Sequence, residues 1–211
     1  MKKILWCDTE TTGLDAKRHG IIQLALLMDI DGKIVDEISF DIQPFETDMM
    51  SIGIDDLVNI PMDISWAESM FTYEDCKTPT GITFADIIGF THPYEAMDKI
   101  ISFLDKHIGK FDKSDKAWIG GYNIRFDLDF LSSFCKKAKF AYLGSYLNWR
   151  CLDPMYKLWE MDYKGDISYE NYKLETVCGM YGIPIESHNA LSDIKATREL
   201  WYRLGGRQWL K

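Results

Sequence analysis

The stretch Asp8-Thr9-Glu10-Thr11-Thr12-Gly13-Leu14, entered from the apolar run Ile4-Leu5-Trp6-Cys7, decides how the rest of the chain is read. The apolar run predicts a buried strand. Side chains alternate along a strand, so Asp8 and Glu10 point to the same side if the strand continues through Glu10. Two carboxylates side by side at the end of a central strand are costly without a compensating cation. Oxygen-only ligands of this kind suit a hard divalent ion such as Mg2+ or Mn2+. On these residues alone, a polar strand end followed by a Thr/Gly turn is an equal alternative.

The surrounding chain predicts an α/β protein. Ile21 to Met28 is strongly apolar and β-prone, Asp31-Gly32 is a turn signal, and Lys33 to Ile42 reads as the second arm of a hairpin that Pro44 closes. With the opening strand this makes three antiparallel neighbours. Met97, Ile100, Ile101, Leu104 and Ile108 have helical spacing behind Pro93. Ala117-Trp118-Ile119-Gly120 predicts a fourth strand, and Phe126, Phe130, Leu131 and Phe134 mark the helix that follows, with Lys136-Lys137 at its C-terminus. Trp149 to Leu152 reads as a short fifth strand. Asp153-Pro154 supplies a cap and a first residue for the next helix. Leu174, Val177, Cys178 and Tyr181 predict another helix, and Leu191, Ile194, Thr197, Trp201 and Leu204 line the last one. Strands separated by helices are expected to be parallel. The expected architecture is one five-stranded mixed sheet, its first three strands an antiparallel meander, with helices on both faces.

The chain has 211 residues and reads as a single domain spanning 1–211, with a loop-rich insertion at about 56–92. The aromatics Trp66, Phe71 and Tyr73 in that insertion either pack it onto the domain or stack on bases. A formal net charge of −9 counts against tight, non-specific duplex binding. It counts less against a nuclease whose metals neutralise phosphate locally. The five cysteines form no CxxC pair, which predicts reduced thiols and no zinc site. With no signal-peptide pattern and no apolar run of membrane-spanning length, the expected location is the cytoplasm.

Two more acids fall at turn-to-helix junctions. Asp127 follows Gly121-Tyr122-Asn123, and Asp193 follows His188-Asn189-Ala190-Leu191-Ser192. The helix dipole favours an acid at either place, so each has a structural explanation taken singly. His188, just ahead of the last helix and a little over a turn from Asp193, is placed where a general base would take a proton from an attacking water.

Taken in order, Asp8-Thr9-Glu10-Thr11-Thr12-Gly13-Leu14, Asn123-Ile124-Arg125-Phe126-Asp127 and His188-x-Ala190-x-x-Asp193 resemble the three motifs of the DEDDh branch of the DnaQ-like 3′-5′ exonucleases. Ile21-Ile22-Gln23-Leu24-Ala25 resembles that family's second strand, and Lys173 to Cys178 with Tyr181-Gly182-Ile183 resembles its penultimate helix. The resemblance implies an RNase H-like fold. It makes Asp8, Glu10, Asp127 and Asp193 ligands of two Mg2+ ions (or Mn2+) and His188 the general base. It seats a 3′-terminal nucleotide against Thr9, Thr11 and Leu14.

The implied activity is hydrolysis of single-stranded nucleic acid, DNA favoured over RNA, from a free 3′ end to nucleoside 5′-monophosphates, in proofreading or repair. A DNA polymerase partner or a homodimer stays open, as does exoribonuclease activity. Ile52-Gly53-Ile54 departs from the His-Gly-Ile turn of many relatives, and Tyr122 stands where many have His. Two other classes are compatible with parts of the sequence: a metal-dependent phosphatase acting on small substrates, and an inactive nucleic-acid-binding or polymerase-associated module.

Overall fold

The first strand carries the fold because it is covered on both faces. In the computed structural model, which describes residues 1–45, 48, 87, 89–140, 142–186 and 188–205, β1 runs over Lys3–Thr11. Leu5, Trp6 and Cys7 are buried in succession, so neither face of the strand meets water. β2 (Ile21–Ile30) is buried almost without interruption, whereas β3 (Lys33–Asp41) alternates between exposed and half-buried positions. The hairpin between them turns at Asp31 and Gly32, with φ of 50° and 81°. Both values lie in the left-handed region that a tight two-residue turn requires.

β4 (Ala117–Gly120) and β5 (Leu147–Leu152) complete a five-stranded sheet of order β3-β2-β1-β4-β5. β1 pairs antiparallel with β2 and parallel with β4, and β4 pairs parallel with β5. The expected mixed sheet is therefore present, with β1 at its centre.

Five helices accompany it among the described residues: α1 (Pro93–His107), α2 (Ile124–Lys137), α3 (Pro154–Tyr163), α4 (Leu174–Met180) and α5 (Ala190–Arg203). Trp6 meets Trp201 of α5 edge-on at 6.4 Å between ring centroids, which places α5 over the face that carries the even-numbered residues of β1. Thr9, on the other face, meets α2 through Asp127. The expected insertion falls largely outside the described residues, as do Trp66, Phe71, Tyr73 and Ile52 to Ile54. Its last residues return to the sheet, where Gln43 N donates to Thr91 O and Thr91 N to Asp41 O.

Among the described residues no helix is long and apolar enough to cross a membrane. Cys7, Cys135, Cys151 and Cys178 are free thiols.

Candidate metal centre and nucleotide site

Alternation along β1 turns Asp8 and Glu10 toward α5, and the first turn of α5 brings Asp193 to meet them. Asp8, Glu10 and Asp193 each offer a carboxylate oxygen within 4.8 Å of the other two. Local bonds hold the start of α5 in this position. Asn189 caps the helix by accepting from Ser192 N at 3.0 Å, and Ala190 N donates to Gln23 Oε1 at 2.9 Å. Gln23 is in turn fixed by its Nε2, which donates to Asp41 Oδ1 at 2.8 Å. Its amide thus bridges two strands to the end of the helix that carries Asp193.

Asp127 is held differently. It approaches from the α2 side, where its Oδ1 accepts from Thr9 N at 2.9 Å and from Thr9 Oγ1 at 2.7 Å. The turn that delivers it depends on Asn123, whose φ of 55° is left-handed, a conformation asparagine tolerates better than most residues. Asp153 then steadies both neighbouring helices by accepting from Ile124 N at 3.1 Å and from Met155 N at 2.9 Å. The structure therefore gathers three of the four expected acids directly. It holds the fourth beside them through Thr9, whose amide and hydroxyl are both engaged by Asp127.

The electrostatics are those of acids lacking a counter-ion. Burial raises the pKa of Asp8, and the charges of Asp127, Asp193 and Glu10 raise it further. Burial and then Asp193 raise Glu10, while His188 lowers it. Burial lifts Asp193 from 3.8 to about 6, against the lowering effect of the His188 amide that bonds to it. Burial likewise raises Asp127, opposed by its two bonds from Thr9. Asp193 Oδ1 is buried without a hydrogen-bond partner among the described residues. Clustered carboxylates of raised pKa, one of them with an orphaned oxygen, fit a hard divalent cation. Asp8, Glu10 and Asp193 would hold it, with Asp127 at the margin.

His188 is exposed, has a left-handed φ of 66°, and donates its backbone N–H to Asp193 Oδ2 at 3.3 Å. Its loop is thus fastened by the main chain, leaving the imidazole outside that bond. Beside it, a cleft of about 580 Å³ runs from His188 and Asp193 to Tyr122, Met155, Trp159 and Leu174. The Tyr122 hydroxyl donates to the Tyr172 carbonyl, which fixes one wall of that cleft.

The loop after β1 is closed by Thr12 N donating to Gly20 O and Gly20 N to Thr12 Oγ1, both at 3.0 Å. A Cβ at Gly13 would come within 2.5 Å of the His19 ring, so any side chain there would have to displace that ring. Thr11 Oγ1 donates to Gly13 O at 2.8 Å, and Leu14 stands 87% exposed at the tip. Of the lysines at the end of α2, Lys137 pairs with Asp48. Sequence reasoning did not single out Gln23 as the tether of α5, or Asp153 as an acceptor for α2. The only available signal was local: Asp153 as a helix cap.

Neither a protein-family model nor a curated protein sequence matches the chain. Solved structures do. The zinc-bound form of an E. coli exonuclease I–single-stranded DNA complex superimposes with a TM-score of 0.68 at 17% identity, covering 99% of this chain and 41% of that one. Exonuclease I from Methylocaldum szegediense gives 0.63 at 19% identity, with 97% and 40% covered. The nuclease domain of 3′hExo, a DEDDh family member bound to rAMP, gives 0.62 at 15% identity, with 97% and 92% covered. The chain therefore has the RNase H-like fold of the DEDDh exonuclease domains. It spans about two fifths of the exonuclease I chains and nearly the whole of the 3′hExo domain.

Proposed function

We propose that the protein is a metal-dependent 3′-5′ exonuclease of the DEDDh type, acting on single-stranded nucleic acid and releasing nucleoside 5′-monophosphates. The observation that carries this reading is the convergence of Asp8, Glu10 and Asp193 within 4.8 Å, with His188 fastened to Asp193 by its main chain. An acidic trio with no cation of its own is a costly feature for a fold to keep. Two bound divalent ions, Mg2+ or Mn2+, would offset that charge, neutralise the scissile phosphate and activate water.

The chain's own residues do the rest. Asp8, Glu10, Asp127 and Asp193 would hold the ions, and Thr9 keeps Asp127 in place. Leu14, exposed at the tip of its loop, wedges against the terminal base, and Thr9 and Thr11 border the same pocket. His188 takes the proton from the attacking water as the oxygen bonds to phosphorus. The bond from phosphorus to the 3′ oxygen of the preceding nucleotide breaks, and that oxygen takes a proton from solvent to become the new 3′ hydroxyl. The products are a nucleoside 5′-monophosphate and a strand shorter by one residue.

DNA is the favoured substrate, with proofreading or repair as the role and the cytoplasm as the place. Single-stranded DNA occupies the similar exonuclease I complexes, while the rAMP bound to the similar 3′hExo domain keeps an exoribonuclease as the alternative. The deciding experiment digests 5′-end-labelled single-stranded DNA and RNA in Mg2+, with Asp8→Ala alongside. Stepwise shortening from the 3′ end, faster on DNA and absent in the variant, is expected. Turnover of mononucleotides or phosphomonoesters with no attack on strands would replace this reading with a phosphatase, and full activity in Asp8→Ala would remove the ligand assignment.

A further inference from the structure

The motif residues leave unexplained a pair of exposed indoles at the edge of the sheet, Trp149 on β5 and Trp118 on the neighbouring β4. Trp149 is 85% exposed and Trp118 36%. The Arg150 guanidinium lies 5.4 Å from the ring centroid of Trp118 and 5.8 Å from that of Trp149. Arg150 forms no ion pair among the described residues, so its charge is available. A cation held between two indoles presents flat apolar surface and a phosphate-binding fork together.

The backbone here is poorly suited to an incoming peptide strand. The register between β4 and β5 shifts so that Asn148, Trp149 and Arg150 all face Trp118. Such a bulge disrupts the ladder an added strand would extend. Arg150 N donates to Asn148 Oδ1 at 3.2 Å, and Trp149 O accepts from Cys151 Sγ at 3.6 Å. These main-chain groups are turned onto the strand's own side chains, which blunts the edge.

The same edge leads to the carboxylates. The carbonyl of Leu152, the last residue of β5, accepts from Gly121 N at 3.1 Å, just ahead of the turn into α2. Arg125, exposed in the first turn of α2, lies close enough to Cys151 for its charge to act on the thiol. β5 is two strands from β1, about 10 Å across, and Trp118 pairs with Ile4, four residues before Asp8, so the indoles also lie about 13 Å back along the strands from the nearest acid. In a chain of net charge −9, a cation among exposed indoles on the strands that run toward an acidic centre, a few nucleotides' length away, suits a polyanionic, aromatic partner.

We propose that this edge is a track for the unpaired nucleotides upstream of the 3′ end: bases stack on Trp149 and Trp118, and Arg150 and Arg125 take phosphates. The proposal rests on the exonuclease reading for the strand's direction. Its test is binding, measured by fluorescence anisotropy in Mg2+ with a labelled oligothymidylate of about a dozen nucleotides whose 3′-terminal linkages are phosphorothioate. Trp149→Ala weakens binding about tenfold and Trp149→Phe restores most of it. Arg150→Gln weakens binding and makes the slope of log K against log salt shallower by about 0.7. In turnover, the ratio of kcat/KM on a long strand to that on a dinucleotide falls about tenfold in Trp149→Ala. Wild-type protein that binds no strand, or variants whose affinity and salt slope match wild type, would overturn the track. A wild type that binds through Trp149 and Arg150 but cleaves no strand would leave the track standing and remove the exonuclease reading.

Discussion

Helix α5 meets the sheet through acids at two places, and the two are built in opposite ways. Toward its C-terminal end, Asp29 of β2 is wholly buried, and its Oδ2 accepts from Arg198 Nε at 2.7 Å and from the Tyr202 hydroxyl at 2.6 Å. Arg198 also donates to the Gly32 carbonyl, which ties the hairpin turn to the helix. At the N-terminal end, Asp8, Glu10 and Asp193 face one another, and among the described residues no lysine or arginine forms an ion pair with them. An orphaned oxygen occurs at both places, Asp29 Oδ1 and Asp193 Oδ1, so such an atom does not by itself mark a metal site. The charge balance does. One acid with one guanidinium is a finished lock, whereas three acids with none are incomplete until a cation arrives. The locked end keeps the helix in place while its other end carries repulsion that a bound ion turns to use.

The largest expected effect separates the two ends by sign. Asp8→Asn abolishes Mg2+-dependent turnover yet raises the melting temperature of the metal-free protein by a few degrees, about 1–2 kcal/mol, because it removes one repelling charge. A lower melting temperature in EDTA would show that these acids are not under repulsion. His188→Ala, which leaves the charge cluster intact, lowers kcat by roughly 10²–10⁴-fold with little change in Mn2+ affinity by calorimetry. Full turnover in that variant would exclude the histidine as base. At the locked end, Arg198→Met leaves Asp29 buried and unpaired by any cation, and costs about 3–5 kcal/mol in urea unfolding without changing metal affinity. A loss below about 1 kcal/mol would mean that the tyrosine alone secures Asp29.

The smallest effect concerns pH. Asp193 is raised from 3.8 to about 6, so the folded, metal-free protein holds its proton more tightly than the unfolded chain between those values. Stability in EDTA therefore falls as pH rises from about 4 to about 6, with Asp8 and Glu10 adding in the same direction. Saturating Mn2+ opposes that fall, because the ion binds the deprotonated acids. Urea unfolding across this window, with Asp193→Asn flattening the slope, checks the sign. Stability in EDTA that rises with pH, and rises equally in the variant, would contradict it.

Much of this was legible in the residues. The apolar run before Asp8 and the alternation through Glu10 place two acids on one face of a strand, because the extended backbone allows no other arrangement. Asp153-Pro154 marks its helix start, and Asp31-Gly32 marks its turn, for equally local reasons. The three motifs in order pointed to the fold. Their order did not show that Asp127 would be gripped by Thr9 from the opposite face, or that Gln23 would hold the helix carrying Asp193. Nor did it reveal that Arg198 would lie against Asp29, since that bond joins residues 169 positions apart.

The sequence by itself determined the alternation, the caps, the turns and the supply of acids, all of which depend on neighbours within a few residues. Tertiary structure alone decided which acids received a cation from the chain and which were left to gather without one. That choice depends on which face of β1 each helix covers, and a helix is placed by burial summed over the whole sheet, to which no single stretch of residues holds the answer.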